Sequence, residues 1–486
     1  MIATETAIET LKFYVNGKWE VDGVRALHDI TNPATARTIA RVPYATADDI
    51  DRTARLAHEA YLKWRDVPVV DRVQVLYRFK DLCEKHAEDL ARTLTSENGK
   101  TLDDARAEIR RAIQMVEVSC GMPSLMMGQS LENVSRGIDC HTIRQPLGVC
   151  GGITPFNFPG MVPCWMFPFA IACGNSFILK PSEKVPLTPT RMAELLEQAG
   201  LPAGVFNLVH GDKVAVDGLL QHPRVRAISF VGSTPVAKYI YENAAKNGKR
   251  VQALGGAKNH LVVMPDADLD KTTDAIISSA FGAAGERCLA GSILVAVGEV
   301  AQPLLSLLVE KTKKIRVGDG AESATEMGPL VTEAHRKRVE GYVEKGVAEG
   351  ATPLCDGRET KAGGGYFLGP TIFDNVTTEM TIAREEIFGP VLSVMRVKDL
   401  DAAVDLVNGS PFGNTTSIFT GDGKSARDYA ARVEAGMIGV NIGVAAPMAF
   451  FPFSGWKQSF FGDLHAHGRD AIAFYTEQKV IMSRWF

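Results

Sequence analysis

Cys288 closes the segment Phe281-Gly-Ala-Ala-Gly-Glu-Arg-Cys288-Leu-Ala290. The small residues ahead of it let backbone and a bound molecule approach closely. Arg287, next to the thiol, supplies a cation that favours thiolate, the nucleophilic form of cysteine. Two other segments give the cysteine a context. Thr154-Pro-Phe-Asn-Phe-Pro159 offers the side-chain amide of Asn157, and Glu385-Glu-Ile-Phe-Gly-Pro390 offers a carboxylate and an aromatic ring. Taken singly, each has a plainer reading. A cysteine is also an inert buried thiol, and that reading stands for the seven others of the eight in the chain. Asn157 alone is a turn residue, and Phe388 alone is a core aromatic.

The elements that must position these groups read as α/β. Ala54, Ala57, Tyr61 and Trp64, then Val73, Leu76, Phe79, Leu82 and Cys83, recur at helical spacing, so residues 47–120 are predicted to be mainly helical. From about residue 148, Gly148–Thr154, Ser176–Lys180, Phe206–Val209 and Ala227–Val231 read as buried strands. Helical stretches Met161–Cys173, Pro189–Gln198 and Thr234–Ala245 separate them. That alternation predicts a parallel sheet covered by helices. After Gly255-Gly256 a second α/β series begins, with strands Leu261–Met264 and Ile293–Val297 and helices Lys271–Ala284 and Ala301–Ile315. Met122–Thr142 and Ala471–Trp485 alternate as strands without a partner in either series.

Composition narrows the classes. A chain of 486 residues has room for two or more large cores. A net charge of −4 without a Lys/Arg block argues against nucleic acid. The longest apolar run, Met161–Ile178, is broken by Pro163, Pro168 and Gly174, so no membrane span is expected. The acidic start Met1-Ile-Ala-Thr-Glu-Thr-Ala-Ile-Glu lacks the order of a signal peptide. Without CxxC pairs, the cysteines suggest neither a disulfide framework nor a zinc site, and a reducing, cytoplasmic compartment is expected.

A nicotinamide enzyme would ordinarily carry Gly-x-Gly-x-x-Gly after its first strand, and this chain has no such string. On composition alone, that counts against NAD. A different phosphate site is legible where Ala227–Val231 runs into Gly232-Ser233-Thr234 and a helix begins. Free N–H groups there favour a pyrophosphate, and Ser233 can add a hydroxyl, although Ser before a helix is also an ordinary N-cap. Lys180-Pro-Ser-Glu183, after another strand, is by itself an unremarkable loop.

Taken together, the three segments resemble the NAD(P)-dependent aldehyde dehydrogenase superfamily, and are most similar to its CoA-acylating methylmalonate-semialdehyde dehydrogenase branch. The resemblance runs from Phe13-Tyr-Val-Asn-Gly17 to the final strand. It implies a variant Rossmann NAD-binding domain (residues 1–121 and 143–255), an α/β catalytic domain (256–450) and a small β oligomerisation arm (122–142 and 465–486). By the same resemblance Cys288 is the nucleophile, and Asn157 with the Cys288 backbone N–H receives the oxyanion. Lys180 and Glu183 hold the adenosine ribose, with Lys184 beside them; a carboxylate there repels a 2′-phosphate and favours NAD over NADP. Ser233 meets the pyrophosphate. Gly255 faces the nicotinamide amide, Glu386 and Phe388 fix the nicotinamide ribose and ring, and Thr154 and Phe156 line the same region. No metal is implied.

One departure sets the chemistry. Hydrolytic members place a glutamate in Glu-Leu-Gly-Gly-Lys to activate water; here the stretch reads Val251-Gln-Ala-Leu-Gly-Gly-Ala-Lys258. Aligning on the lysine puts Leu254 at that position, and aligning on the glycines puts Ala253 there. A thioester facing no base persists until a thiol such as CoA arrives. Arg287 and Arg111 match arginines that hold a substrate carboxylate in this branch. Periodicity alone turns Arg111 away from the stripe of Ile109, Ala112, Ile113 and Val116, toward solvent. The implied activity is NAD-dependent oxidation and decarboxylation of methylmalonate or malonate semialdehyde with CoA, giving propanoyl-CoA or acetyl-CoA, in a homotetramer. Two rivals remain at this stage. One is a hydrolytic aldehyde dehydrogenase that recruits Glu286, and the other is a non-catalytic protein on the same fold.

Overall fold

The computed structural model describes residues 8–21, 23, 25–360 and 362–486. The acidic start read above lies largely outside them, in Met1–Ala7. An eight-stranded sheet runs in the order Phe460–Gly462, Arg250–Leu254, Val225–Val231, Val149–Ile153, Ser176–Lys180, Phe206–Leu208, Phe13–Val15, Lys18–Glu20. The five central strands are parallel, and the flanking ones pair antiparallel. Near-continuous apolar strands such as Val149–Ile153 and Ser176–Lys180 are buried along their whole length, as expected when helices cover both faces.

Chain order reverses beside Val149–Ile153. The chain first builds outward through Ser176–Lys180 and Phe206–Leu208, then returns to the other side with Val225–Val231 and Arg250–Leu254. Ligands of open α/β sheets bind outside the carboxyl ends of the strands at such a reversal. Thr154, Phe156 and Asn157 follow one of these strand ends, Glu183 and Lys184 another, Ser233 a third and Gly255 a fourth; Lys180 is itself the last residue of its strand. The topology therefore brings to one rim residues that lie a hundred positions apart.

A second sheet of seven strands runs Thr352–Cys355, Thr371–Asp374, Val391–Val397, Gly291–Val297, Asn259–Val263, Thr415–Phe419, Met437–Val440. It is parallel except for its first edge pair. Its core includes Ile276, Leu294, Leu304 and Phe373. A separate three-stranded sheet joins Ser130–Ser135, Ile138–Pro146 and Thr476–Arg484 antiparallel.

Several elements differ from the sequence expectation. Met122–Leu125 is a short helix, and Gly468–Tyr475 is helical before the last strand begins at Thr476. Ala471, Ile472, Phe474 and Tyr475 are all buried, a spacing that serves a helix face better than a strand. The two leftover segments found each other: Ile138–Pro146 pairs with Thr476–Arg484 over nine residues. The middle strand continues to Pro146, past residue 142, and Phe460–Gly462 joins the first sheet. Met161–Cys173 is two short helices, the second starting with Phe167-Pro168, because proline suits a first turn and not an interior. The helix expected over Lys271–Ala284 stops at Phe281. Among the described residues no helix is long and apolar enough to cross a membrane.

Candidate active site

The helix Leu269–Phe281 ends in a turn in which Ala283 (φ 49°), Ala284 (φ 52°) and Gly285 (φ 70°) are all left-handed. Each non-glycine residue there costs about 1–2 kcal/mol, so the surroundings must hold it. Asp104 accepts the Ala283 N–H at 3.2 Å. Gly285 lies so close to the Gly389 carbonyl that a Cβ would collide with it. This turn delivers Cys288 to the rim of the second sheet. The Cys288 carbonyl accepts amide hydrogens from Asn259 (2.9 Å) and Asn414 (2.8 Å), and the Asn157 amide donates to the Glu286 carbonyl at 2.9 Å.

Cys288 opens on a cavity of about 170 Å³ whose polar lining includes Arg287, Arg111, Lys100, Asp104 and Glu108. Phe158, Met161, Trp165, Val444 and Phe453 supply apolar walls. Arg111 thus does not project into open solvent, as periodicity alone suggests. Ile109, Ala112, Ile113 and Val116 bury one side of the helix Leu102–Cys120, and the cavity takes Arg111 on another. Its guanidinium is 3.4 Å from Gln114 Oε1 and abuts the Met448 sulfur. Arg287 is more constrained: Nε donates to the Gly282 carbonyl and Nη2 to the Ser278 carbonyl, both at 2.9 Å. It closes the carboxyl end of the preceding helix, where a cation is favoured.

The expected thiolate is not what this environment favours. Burial pushes the Cys288 thiol up to about 12, and the nearby Glu386 carboxylate adds to the rise; backbone N–H groups of Cys288 and Leu289, and Arg287, work the other way and lose. Desolvation is the largest of these effects, and the Arg287 charge offsets only part of it.

The cofactor-side residues gather at the strand ends. Lys180 is buried, its ammonium 3.6 Å from Glu183, and burial lowers its pKa. The Thr154 N–H donates to the Lys180 carbonyl, and the Thr154 hydroxyl is buried without a partner among the described residues. Ser233 occupies the N-cap of helix Thr234–Lys246, yet its hydroxyl makes no capping bond, so the plain N-cap reading fails. The Gly255 N–H donates to the Ser459 carbonyl. Glu386 accepts the Ala257 N–H at 2.9 Å; burial raises its pKa. Phe156 and Phe388 meet edge to face at 5.7 Å, Lys184 lies over the Phe156 ring at 4.7 Å, and Phe388 adopts φ 58°.

The two residues offered for the missing glutamate lie on opposite faces of the strand Arg250–Leu254. Leu254 belongs to the apolar cluster against which Cys288 packs. Ala253, one residue earlier and so on the opposite face, belongs to the cluster under the outer helices. Of the two, Leu254 is the one on the side of the strand that joins the cluster Cys288 packs against. Glu286 is buried, accepts the Val331 N–H at 3.2 Å and lies 3.4 Å from His335. Burial pushes it up to about 8.

Sequence reasoning missed several positioning groups: Lys100, Glu108, Asn98, Asn259, Asn414 and His335. Asn98 donates to the Phe156 carbonyl at 3.0 Å, and His335 Nε2 lies 2.7 Å from the Phe388 carbonyl. Several sit in polar stretches, such as Ser96-Glu-Asn-Gly-Lys100 and Glu333-Ala-His335, where nothing in the local pattern marks a backbone partner far along the chain.

Residues 20–481 match the model of the aldehyde dehydrogenase family. The chain belongs to that family. Among curated relatives, a malonate-semialdehyde dehydrogenase of Geobacillus thermodenitrificans is 52% identical over 482 residues, covering 99% of this chain and 100% of that one. A malonate-semialdehyde dehydrogenase of Halalkalibacterium halodurans is 52% identical, with 98% and 99% covered. Among solved structures, the methylmalonate-semialdehyde dehydrogenase of Oceanimonas doudoroffii superposes with a TM-score of 0.97 at 46% identity over 98% of this chain and 99% of that one. A Sinorhizobium meliloti protein named as a methylmalonate-semialdehyde dehydrogenase, solved with NAD, gives 0.97 at 45% identity, with 99% of each chain covered. The mixed α/β architecture of this aldehyde dehydrogenase is thus that of its relatives.

Proposed function

We propose that the protein is an NAD-dependent, CoA-acylating dehydrogenase of malonate or methylmalonate semialdehyde. The observation that carries this reading is the cavity shared by Cys288, Arg111 and Arg287: a nucleophile and two cations, suited to an aldehyde that also bears a carboxylate. Names of relatives at about 50% identity over their full length support it.

The residues fit NAD. Ser233 makes no capping bond at a helix start, Thr154 has a buried hydroxyl without a partner among the described residues, and Glu183 beside Lys180 disfavours a 2′-phosphate. Lys180, Glu183 and Lys184 would hold its adenosine end, with Thr154, Phe156, Gly255, Glu386 and Phe388 around the nicotinamide end. When bound, NAD supplies a hydride acceptor.

The Cys288 thiol gives its proton to water as its sulfur adds to the aldehyde carbon, creating the sp³ centre from which hydride leaves. The Asn157 amide has two hydrogens, one held by the Glu286 carbonyl, and the other serves the oxyanion with the Cys288 backbone N–H. With hydride gone, the acyl group remains on Cys288 as a thioester. Arg111 and Arg287 hold the carboxylate β to the thioester carbonyl, which accepts the electron pair as carbon dioxide departs; the resulting enolate takes up a proton from water at carbon. Leu254 provides no base for water, so the acyl group waits for the CoA thiol. Glu286, hydrogen-bonded to Val331 and facing His335, is poorly placed to substitute.

The arm sheet, with Leu131, Val480 and Met482 exposed, is proposed as the assembly surface of a cytoplasmic homotetramer. Chromatography of the products from malonate semialdehyde, NAD and CoA tests the assignment. Acetyl-CoA with equimolar carbon dioxide supports it, and free acid as the main product rejects it.

A further inference from the structure

The cavity holds an ion pair that the reaction above does not use. Lys100 and Glu108 are 2.7 Å apart, with side chains 2% and 0% exposed. Replacing such a pair by apolar residues is often neutral or stabilising, so stability alone is a weak reason for it. Its partners suggest another. Lys100 Nζ donates to the Asn157 carbonyl at 2.6 Å and lies over the Phe158 ring at 4.2 Å. Glu108 gives one oxygen to Lys100 and the other to the backbone N–H groups of Gly160 (2.8 Å) and Met161 (3.0 Å). Both oxygens of the carboxylate are occupied, and all the bonds not made within the pair reach the backbone segment 157–161.

We infer that the Lys100–Glu108 pair is a positioning device that fixes Asn157 relative to Cys288. Asn157 is held at two points. Lys100 takes its backbone carbonyl, and its side-chain amide grips the Glu286 carbonyl two residues before the nucleophile. The Lys100 end is rigid in turn. Gly99 (φ 92°) turns the chain sharply out of the helix Ala87–Asn98, Thr101 caps the next helix, and the Leu102 N–H is bound by the Gly320 carbonyl at 2.9 Å. Glu108 sits three residues before Arg111 on that next helix, so one rigid element places both the oxyanion donor and the proposed carboxylate anchor. Oxyanion donors act through preorganisation, and a displacement of about 1 Å can cost about a hundredfold in rate.

The inference rests on the proposed Cys288 chemistry and is tested by a mutant cycle read as the pre-steady-state NADH burst rate at saturating aldehyde. Lys100→Met is expected to slow the burst about tenfold to a hundredfold, with the NAD dissociation constant and aldehyde KM changed less than about threefold. In an Asn157→Ala background the same substitution should change the burst less than about threefold, because the donor it positions is already gone. Glu108→Gln, which keeps the acceptor for Gly160 and Met161, should lose less than Lys100→Met. Should Lys100→Met fail to fold, Lys100→Arg, which keeps the cation but alters its reach, runs through the same cycle. Equal losses in both backgrounds, or losses confined to NAD affinity, overturn the inference. A wild-type protein with no burst from any aldehyde would instead sink the function proposed for Cys288.

Discussion

Arg111→Leu separates substrate recognition from scaffolding most cleanly. Among the described residues its guanidinium is hydrogen-bonded to an amide oxygen at 3.4 Å and a thioether, so its loss strands no buried carboxylate among those contacts. Stability should change by less than about 0.5 kcal/mol, as for substitutions away from buried networks. A substrate carboxylate that loses one charge-assisted partner forfeits about 2–3 kcal/mol, the lower part of the range for such truncations, since Arg111 is only half-buried. At 1.4 kcal/mol per tenfold, kcat/KM for malonate semialdehyde should fall about 30- to 150-fold. Propanal has no carboxylate and should lose less than about threefold. The assay is initial-rate NADH formation from both aldehydes, with Tm alongside. Equal losses on the two aldehydes would refute the reasoning and make Arg111 a support for the helix. Arg287→Leu is a poorer probe because it also uncaps the carbonyls of Ser278 and Gly282.

Cys288 should alkylate slowly in the absence of NAD. With its pKa raised by burial to about 12, the iodoacetamide rate should climb about tenfold per pH unit from 6 to 9; a plateau below pH 8 would contradict this. Ser233→Ala should weaken NAD binding several-fold and leave Tm unchanged, because no capping bond is lost. A fall in Tm equivalent to about 1 kcal/mol, with NAD affinity intact, would restore the N-cap reading. Leu254→Glu should raise CoA-independent release of free acid, measured by product chromatography. An unchanged rate would show that the side chain cannot reach a water beside Cys288.

The sequence showed the α/β alternation because parallel strands buried on both faces are written as short apolar runs between amphipathic helices. Ser176–Lys180 was legible to the residue. Less legible were segments whose pattern serves two structures. Ala471–Tyr475 reads as the start of a strand, and its helical form shows only once Ala471, Ile472, Phe474 and Tyr475 are seen buried together. In the site, the motif residues could be named, but their surroundings could not. Arg287 next to Cys288 in sequence suggested a thiolate, yet the desolvation of the thiol outweighs the Arg287 charge. Arg111 looked solvated because periodicity records the apolar face and is silent about a cavity on another. The choice between Leu254 and Ala253 needed the alternation of one strand across two cores.

The central claim is that an acyl group forms on Cys288 and waits for CoA because Leu254 gives water no base. A stopped-flow record of NADH absorbance on mixing enzyme and NAD with malonate semialdehyde tests it most directly. The account predicts a burst of about one equivalent per active site and slow turnover without CoA, with the steady state accelerated when CoA is present. Fast steady-state turnover to free acid, indifferent to CoA and without a burst, would contradict it.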